Sequence, residues 1–454
     1  MARTYDLAIR GGTVVAPASS DIVDVGIDGE TIAAVGPNLR GETEIDAAGK
    51  LVFPGIIDAH THMALPVAGT RSSDDFLTGT TAAACGGVTT IVDFTVGAAD
   101  RSIPDDVDAR LDDASSSVID YAVHAEVIGW RPGREWEFRD AVGLGVTSFK
   151  FFTAYEASGR RTPPDEMAVA LGALAEWGAV ALVHCEDERL IASIAERLTA
   201  DEIGRMETLA EARPDLCERS AIVQVARIAR ETGCRTHVVH VSSRLGLEAV
   251  REGRTAGARL TAETCPQYLL LTRAVYARED GHLFSASPAL RTDDDRDALW
   301  AALRRRDLDL VATDHCPFTR AQKAWRGDFR ALPYGLPGVE TLLPLVYSEG
   351  VGRGRLGLND VPRLLCEGPA RAFDLYPRKG SIAVGADADL VVFDPEVSWT
   401  LSASDLHMNT DFSPYEGREV VGRAVTTIAR GAVVCRDGTC VAEPGRGAFV
   451  ERRV

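Results

Sequence analysis

Residues 147–186 read T-S-F-K-F-F-T-A-Y-E-A-S-G-R-R-T-P-P-D-E-M-A-V-A-L-G-A-L-A-E-W-G-A-V-A-L-V-H-C-E. An apolar run (147–152) opens the stretch, an amphipathic segment (164–177) fills its middle, and a second apolar run (180–186) closes it. Two short β-rich runs around a helix-period segment mark parallel strands joined by a crossover helix. The pattern repeats outward in both directions. L-V-F-P-G-I-I-D (51–58), V-T-T-I-V-D-F (88–94) and Y-A-V-H-A-E-V (121–127) come before it. R-T-H-V-V-H-V-S (235–242), R-L-T-A-E-T-C (259–265) and L-D-L-V-A-T-D-H (308–315) come after. A second helix, A-I-V-Q-V-A-R-I-A-R-E-T (221–232), meets a stop at Gly233. Eight strands alternating with helices predict an α/β fold of the (β/α)8 barrel type, with a doubly wound open sheet as the alternative.

Both ends of the chain have a different texture. D-L-A-I-R, G-G-T-V-V and D-V-G-I lie among tight turns such as Asp28-Gly29. From about Gly380 the same short strands return in A-D-L-V-V-F-D, V-T-T-I-A-R-G and A-V-V-C-R-D-G. One small β-sandwich built from both termini is expected. The division is then 1–53 and 376–454 for the sandwich and tail, with 54–375 for the barrel.

The 454 residues are 45% hydrophobic, enough for a large core, and carry a net charge of −18. That charge argues against nucleic acid or an anionic membrane as partner. No run of 18 apolar residues occurs and M-A-R-T-Y-D-L does not read as a leader, so a soluble, cytoplasmic protein is expected. Nine cysteines without a C-x-x-C pair read as reduced thiols.

In a barrel of this kind, reactive groups lie at the C-terminal ends of the strands. His60 and His62 follow the first run, Lys150 lies in the fourth, and His184, His240 and Asp314 come at the ends of the fifth, sixth and eighth. Alternation in extended chain turns His60 and His62 to one side. Imidazole plus carboxylate is the donor mix of zinc or a similar divalent ion. A single strand histidine is more often a core residue, so the weight rests on several ligand-type residues converging. Lys150, set in S-F-K-F-F, has two readings. Its ammonium is paired or reaches solvent, or burial keeps the amine neutral and nucleophilic. The residues alone favour the first.

The run from Asp58 to Phe94, opening D-A-H-T-H, resembles the cyclic amidohydrolases, and most closely the dihydropyrimidinases and D-hydantoinases. So do G-V-T-S-F-K-F-F-T-A-Y, V-H-C-E, H-V-S-S, S-P-A-L-R, A-T-D-H-C-P-F and G-S-I-A-V-G-A-D-A-D-L-V-V-F-D, in the same order along nearly the whole chain. The resemblance implies two divalent metal ions, zinc as the expected identity, and N6-carboxylysine at Lys150 bridging them. His60, His62 and Asp314 would hold one metal, and His184 and His240 the other. It also implies Asp314 as proton carrier, Tyr155 as donor to the oxyanion, Ser287 and the Tyr334-Gly335 loop as binders of the ring amide, and a homotetramer. On this reading Lys150 belongs to the metal site after all. The partner is a small cyclic amide, with neither nucleic acid nor membrane.

Met63, Ala64 and Leu65 offer no anion clamp after the histidine pair, which favours an uncharged dihydropyrimidine or 5-substituted hydantoin. Loops 63–75 and 151–162 are expected to read the exocyclic group. E-T-C-P-Q-Y-L (263–269) looks more like allantoinases, and Tyr334 replaces an asparagine usual in hydantoinases. An allantoinase is therefore the second enzymatic reading. A non-catalytic scaffold and a single-metal deaminase are weaker alternatives: the first would have lost metal ligands, and the second needs no lysine on the fourth strand. His124, His237, His282 and His407 match no ligand position and are expected to be structural.

Overall fold

The computed structural model describes residues 3–454. Eight parallel strands, β1 (Ile56–Thr61), β2 (Val88–Phe94), β3 (Asp120–Glu126), β4 (Ser148–Phe152), β5 (Val180–His184), β6 (Arg235–Val238), β7 (Leu260–Thr264) and β8 (Leu310–Val311), pair in chain order. The sheet closes on itself where Thr61 bridges His315 and the His62 amide donates to the His315 carbonyl at 2.8 Å. The expected barrel is the one observed.

Alternation along the strands determines which side chains enter the lumen. In β4, Phe149 and Phe151 join the helix-facing core, which leaves Lys150 on the opposite face. In β5, Ala181 and Val183 face the helices while Val180 and Leu182 pack inside with Val92 and Phe94 of β2. The helix Pro164–Glu176 starts with proline in its first turn and buries Met167, Ala170, Leu171 and Leu174. That i, i+3, i+4, i+7 stripe is what docks it on the sheet. The helix expected at 221–232 begins earlier, at Asp215, and ends as read at Gly233, whose φ of 72° suits the left-handed cap.

Two strands are shorter than their apolar runs suggest. β6 stops at Val238 and β8 at Val311, because the backbone turns before His240 (φ 41°) and Asp314 (φ 53°). Positive φ is uncommon for residues other than glycine. Both turns lie at strand ends, where they re-aim side chains that straight strands would place differently.

The termini form two further sheets. Leu390–Thr400 pairs antiparallel with Leu51–Pro54, Val391 opposite Phe53, so N- and C-terminal segments share one seven-stranded sheet. Its apolar face meets the four-stranded N-terminal sheet through Ile9, Val25, Ile27 and Ile32 against Val52, Leu390, Val392 and Ile428. The C-terminal tail then runs along β3, the Tyr121 amide donating to the Ala448 carbonyl at 3.0 Å. Among the described residues, no helix is long and apolar enough to cross a membrane.

Candidate metal centre and substrate pocket

At the C-terminal mouth of the barrel, His60 Nε2 and His62 Nε2 each lie 3.1 Å from Asp314 Oδ1. One donor atom from each of the three falls within 4.8 Å of the others. Phe94, at the end of β2, packs against both imidazoles with ring centroids 4.7 Å away, which limits their rotation. Burial alone would raise the Asp314 carboxyl, but the two imidazoles hold it well below the ordinary carboxylate range.

His60 is oriented from behind. Its Nδ1 lies 2.5 Å from Glu263 Oε1, and Glu263 Oε2 lies 3.0 Å from His237 Nε2. A carboxylate accepts, so both histidines donate to it, and the Nε2 of His60 is directed at Asp314. Burial pulls the His60 imidazole down, yet Asp314 and Glu263 outweigh it and hold His60 up at about 9. Two carboxylates around one imidazole require a positive charge between them. A divalent cation would suit the same donors.

His184 and His240 stand beside this group. His184 Nδ1 and His240 Nε2 are 3.0 Å apart, and the His184 Nε2 on the far side is bonded to Glu186 at 2.9 Å. Two imidazole nitrogens facing one another at that distance suit a proton or a cation between them. Lys150, 2% exposed, has its ammonium 5.2 Å from the Phe94 ring and 5.3 Å from Phe152. Burial pushes it down to about 8 against the opposing pull of Asp314, Glu263 and Glu126. An amine titrating there is partly neutral near neutral pH and is nucleophilic. Of these residues, His60, His62 and Asp314 have donor atoms close enough together to hold one cation, and His184, His240 and Lys150 bring further ligand-type groups beside them.

The remaining candidates line one side of this mouth. Tyr155 follows β4 at φ 72°, its ring centroid 5.0 Å from that of His184 and its hydroxyl 2.5 Å from Ser287 Oγ. Ser287 Oγ in turn lies 3.2 Å from Glu186 Oε2. Gly335 has φ 152°, and a Cβ there would meet the Cys316 carbonyl oxygen at 2.5 Å; its amide donates to the Ser285 carbonyl at 3.0 Å. The Tyr334 hydroxyl stays within its own loop, donating to the Phe329 carbonyl at 3.1 Å.

Several partners in this arrangement were not singled out by the sequence. Glu186 follows His184 by two residues, and Arg213 donates to it through Nε at 3.1 Å and also through Nη2. His315, next to Asp314, places Nε2 3.1 Å from Asp74 Oδ2 and accepts the Gly338 amide on Nδ1 at 3.1 Å. The acid in H-C-E was a local signal for Glu186; nothing local pointed to Glu263. Of the histidines set aside, His124 bonds Ser148 and the Ala59 carbonyl, and His237 bonds Thr261 and Glu263. His407 pairs with Glu340, and His282 lies against Trp325.

Residues 51–434 match the model of the amidohydrolase family. A D-phenylhydantoinase of Escherichia coli O1:K1 is 39% identical, with 98% of each chain covered. Among solved structures, a dihydropyrimidinase from Brevibacillus agri NCHU1002 superposes with a TM-score of 0.96 at 35% identity, covering 98% of both chains. A D-hydantoinase from a Bacillus sp. AR9 gives 0.96 at 38% identity over 99% of each. An L-hydantoinase from Arthrobacter aurescens gives 0.92 at 28% identity. With a family match across the barrel and relatives alike over nearly the full length, this chain belongs to the amidohydrolase family.

Proposed function

We propose that the protein is a hydrolase that opens the ring amide of dihydropyrimidines or 5-substituted hydantoins. The observation that carries this reading is the meeting of His60, His62 and Asp314 with His184, His240 and Lys150, beside the Tyr155–Ser287 pair. The names of the similar proteins point to the same substrate class.

His60, His62 and Asp314 would hold one divalent cation, His184 and His240 a second, with zinc the ion best suited to these donors. Lys150, carboxylated by CO2 on its neutral amine, would contribute an anionic oxygen to each. Bound there, the cations supply Lewis acidity and make water acidic enough to attack near neutral pH. Asp314 accepts the proton released in the attack and returns it to the leaving ring nitrogen. Tyr155 donates its hydroxyl to the oxygen of the carbonyl under attack, where charge accumulates. Ser287 and the backbone at Gly335 hold the ring amide, and loops 63–75 and 151–162 face its exocyclic group. We also propose a cytoplasmic homotetramer, in which residues 1–53 and 376–454 form the sandwich and tail around a barrel of 54–375.

A substrate panel on metal-replete enzyme tests the reading. Ring opening of dihydrouracil or 5-phenylhydantoin, with two metals per chain, is the expected result. Faster turnover of allantoin would reassign the substrate to the reading that E-T-C-P-Q-Y-L favours. Absence of both turnover and stoichiometric metal would overturn it.

A further inference from the structure

Glu186 is wholly buried, yet its side chain reaches three different parts of the mouth. Oε2 lies 2.9 Å from His184 Nε2 and 3.2 Å from Ser287 Oγ, while Arg213 donates to both carboxylate oxygens. We propose that Glu186 is a positioning residue that orients one metal ligand and the substrate-side hydroxyls together, with Arg213 anchoring it. The inference rests on the proposed function and names a residue which that reading does not require.

The argument is one of hydrogen-bond direction. An ionised carboxylate only accepts. His184 must therefore carry its proton on Nε2, which leaves the lone pair on Nδ1, facing His240 Nε2 at 3.0 Å. Ser287 must likewise donate its hydroxyl hydrogen to Glu186, so its oxygen is free to accept. At 2.5 Å from that oxygen, Tyr155 is then the donor. One negative group thus imposes a direction on two chains: it presents a lone pair to the cation side, and it makes Ser287 the acceptor of the Tyr155 proton, so that Tyr155 reaches the substrate carbonyl by turning its single O–H away from Ser287. Arg213 completes the arrangement by stacking its guanidinium 5.2 Å above the Tyr155 ring. A glutamine at 186 would offer one oxygen to several donors, and its NH2 would face other donors.

The alternative is a counter-ion that only neutralises buried Arg213. Metal affinity separates the two, because ligand-orienting partners are worth about 10- to 100-fold in metal affinity. The test uses full-length wild type, E186Q, E186D and S287A, each equilibrated at fixed free zinc and assayed for bound metal, kcat and KM. E186Q is expected to bind one of its two metals about 10- to 100-fold more weakly and to raise KM. E186D, which keeps an accepting carboxylate, is expected to fall between E186Q and wild type. S287A is expected to raise KM with two metals retained, and it removes no buried charge, so it reports even if E186Q does not fold. Two tightly held metals with unchanged KM in E186Q, or unchanged KM in S287A, overturns the inference. A wild-type enzyme without metal or ring-opening activity instead removes the functional reading beneath it.

Discussion

Lys379 Nζ lies 2.9 Å from Asp120 Oδ2, although 259 residues separate them. Asp120 opens β3 at the base of the barrel, and Lys379 also meets Asp389 at 2.6 Å and Asp387 at 3.0 Å, just before a strand of the seven-stranded sheet. The three carboxylates would suit a cation, but the ammonium already occupies the position between them. Arg430 adds a second contact to Asp120 at 2.9 Å. Removing one partner of a buried ion cluster leaves charge uncompensated, typically at about 3–5 kcal/mol. Lys379→Met is expected to lose stability on that scale, read as a lower urea midpoint. A change under about 0.5 kcal/mol, the range of an ordinary surface site, would contradict it.

Lys323 ties together the two loops that flank the substrate side. Its buried ammonium donates to the Leu283 carbonyl at 3.0 Å, the Ser285 carbonyl at 2.9 Å and Ser285 Oγ at 2.9 Å. The Ser285 carbonyl also receives the Gly335 amide, so one lysine fixes both segments. Burial pushes Lys323 down to about 7, and each hydrogen bond contributes about 1.5–3 kcal/mol while the amine is charged and about 0.5–1.5 kcal/mol when it is neutral. Lys323→Met should raise KM at least severalfold while the metal content stays at the wild-type value. Steady-state kinetics on metal-replete protein checks it, and an unchanged KM would show that the loops do not depend on this anchor.

The same segment depends on Gly335. At φ 152° with the Cys316 carbonyl oxygen 2.5 Å from the position of a Cβ, no other residue fits without moving backbone. Strain of this kind costs about 1–3 kcal/mol. Gly335→Ala is expected to lower the thermal midpoint and to raise KM together. A change in neither would mean that the loop relaxes freely.

His407 provides the pH test. Its Nδ1 lies 2.7 Å from Glu340 Oε1, and that hydrogen bond raises the imidazole above its usual 6.5 against the effect of partial burial. A raised folded-state value means that folding favours the protonated ring. The stabilisation is complete below about 6.5 and is lost as pH rises through the folded value. His407→Gln should therefore be most destabilised relative to wild type near pH 5.5–6, with the two converging at higher pH. Urea midpoints measured across that range give the answer, and a gap independent of pH would refute the pairing.

Much of this was legible in the sequence, because barrel periodicity and chemistry coincide. Lys150 sits between Phe149 and Phe151, and simple alternation puts it on the face opposite two outward rings. The histidines and Asp314 follow apolar runs, so their placement at one end required only a strand count. What stayed hidden depends on distance or on backbone torsion. His60 meets Glu263 across 203 residues, and Lys379 reaches Asp120 across 259, distances that no local pattern encodes. Left-handed turns at Tyr155, His240 and Asp314 have no glycine to mark them, so β6 and β8 read as longer than they are.

Lys150 offers the most searching prediction. A carboxylated lysine needs a neutral amine, and burial that pushes Lys150 down to about 8 supplies one. Arginine keeps the positive charge but cannot be deprotonated, so it cannot add CO2. Alanine removes the charge and the side chain together. If Lys150 acts only as a buried cation beside Asp314, Lys150→Arg should retain metal and activity where Lys150→Ala does not. If it acts as a carboxylated bridge, both variants should lose two-metal occupancy and ring opening alike, with circular dichroism unchanged. The wild-type peptide spanning residue 150 should also carry the added mass of CO2 under mild conditions. Full activity in Lys150→Arg would exclude the bridge, and full activity in Lys150→Ala would return the site to a single-metal chemistry.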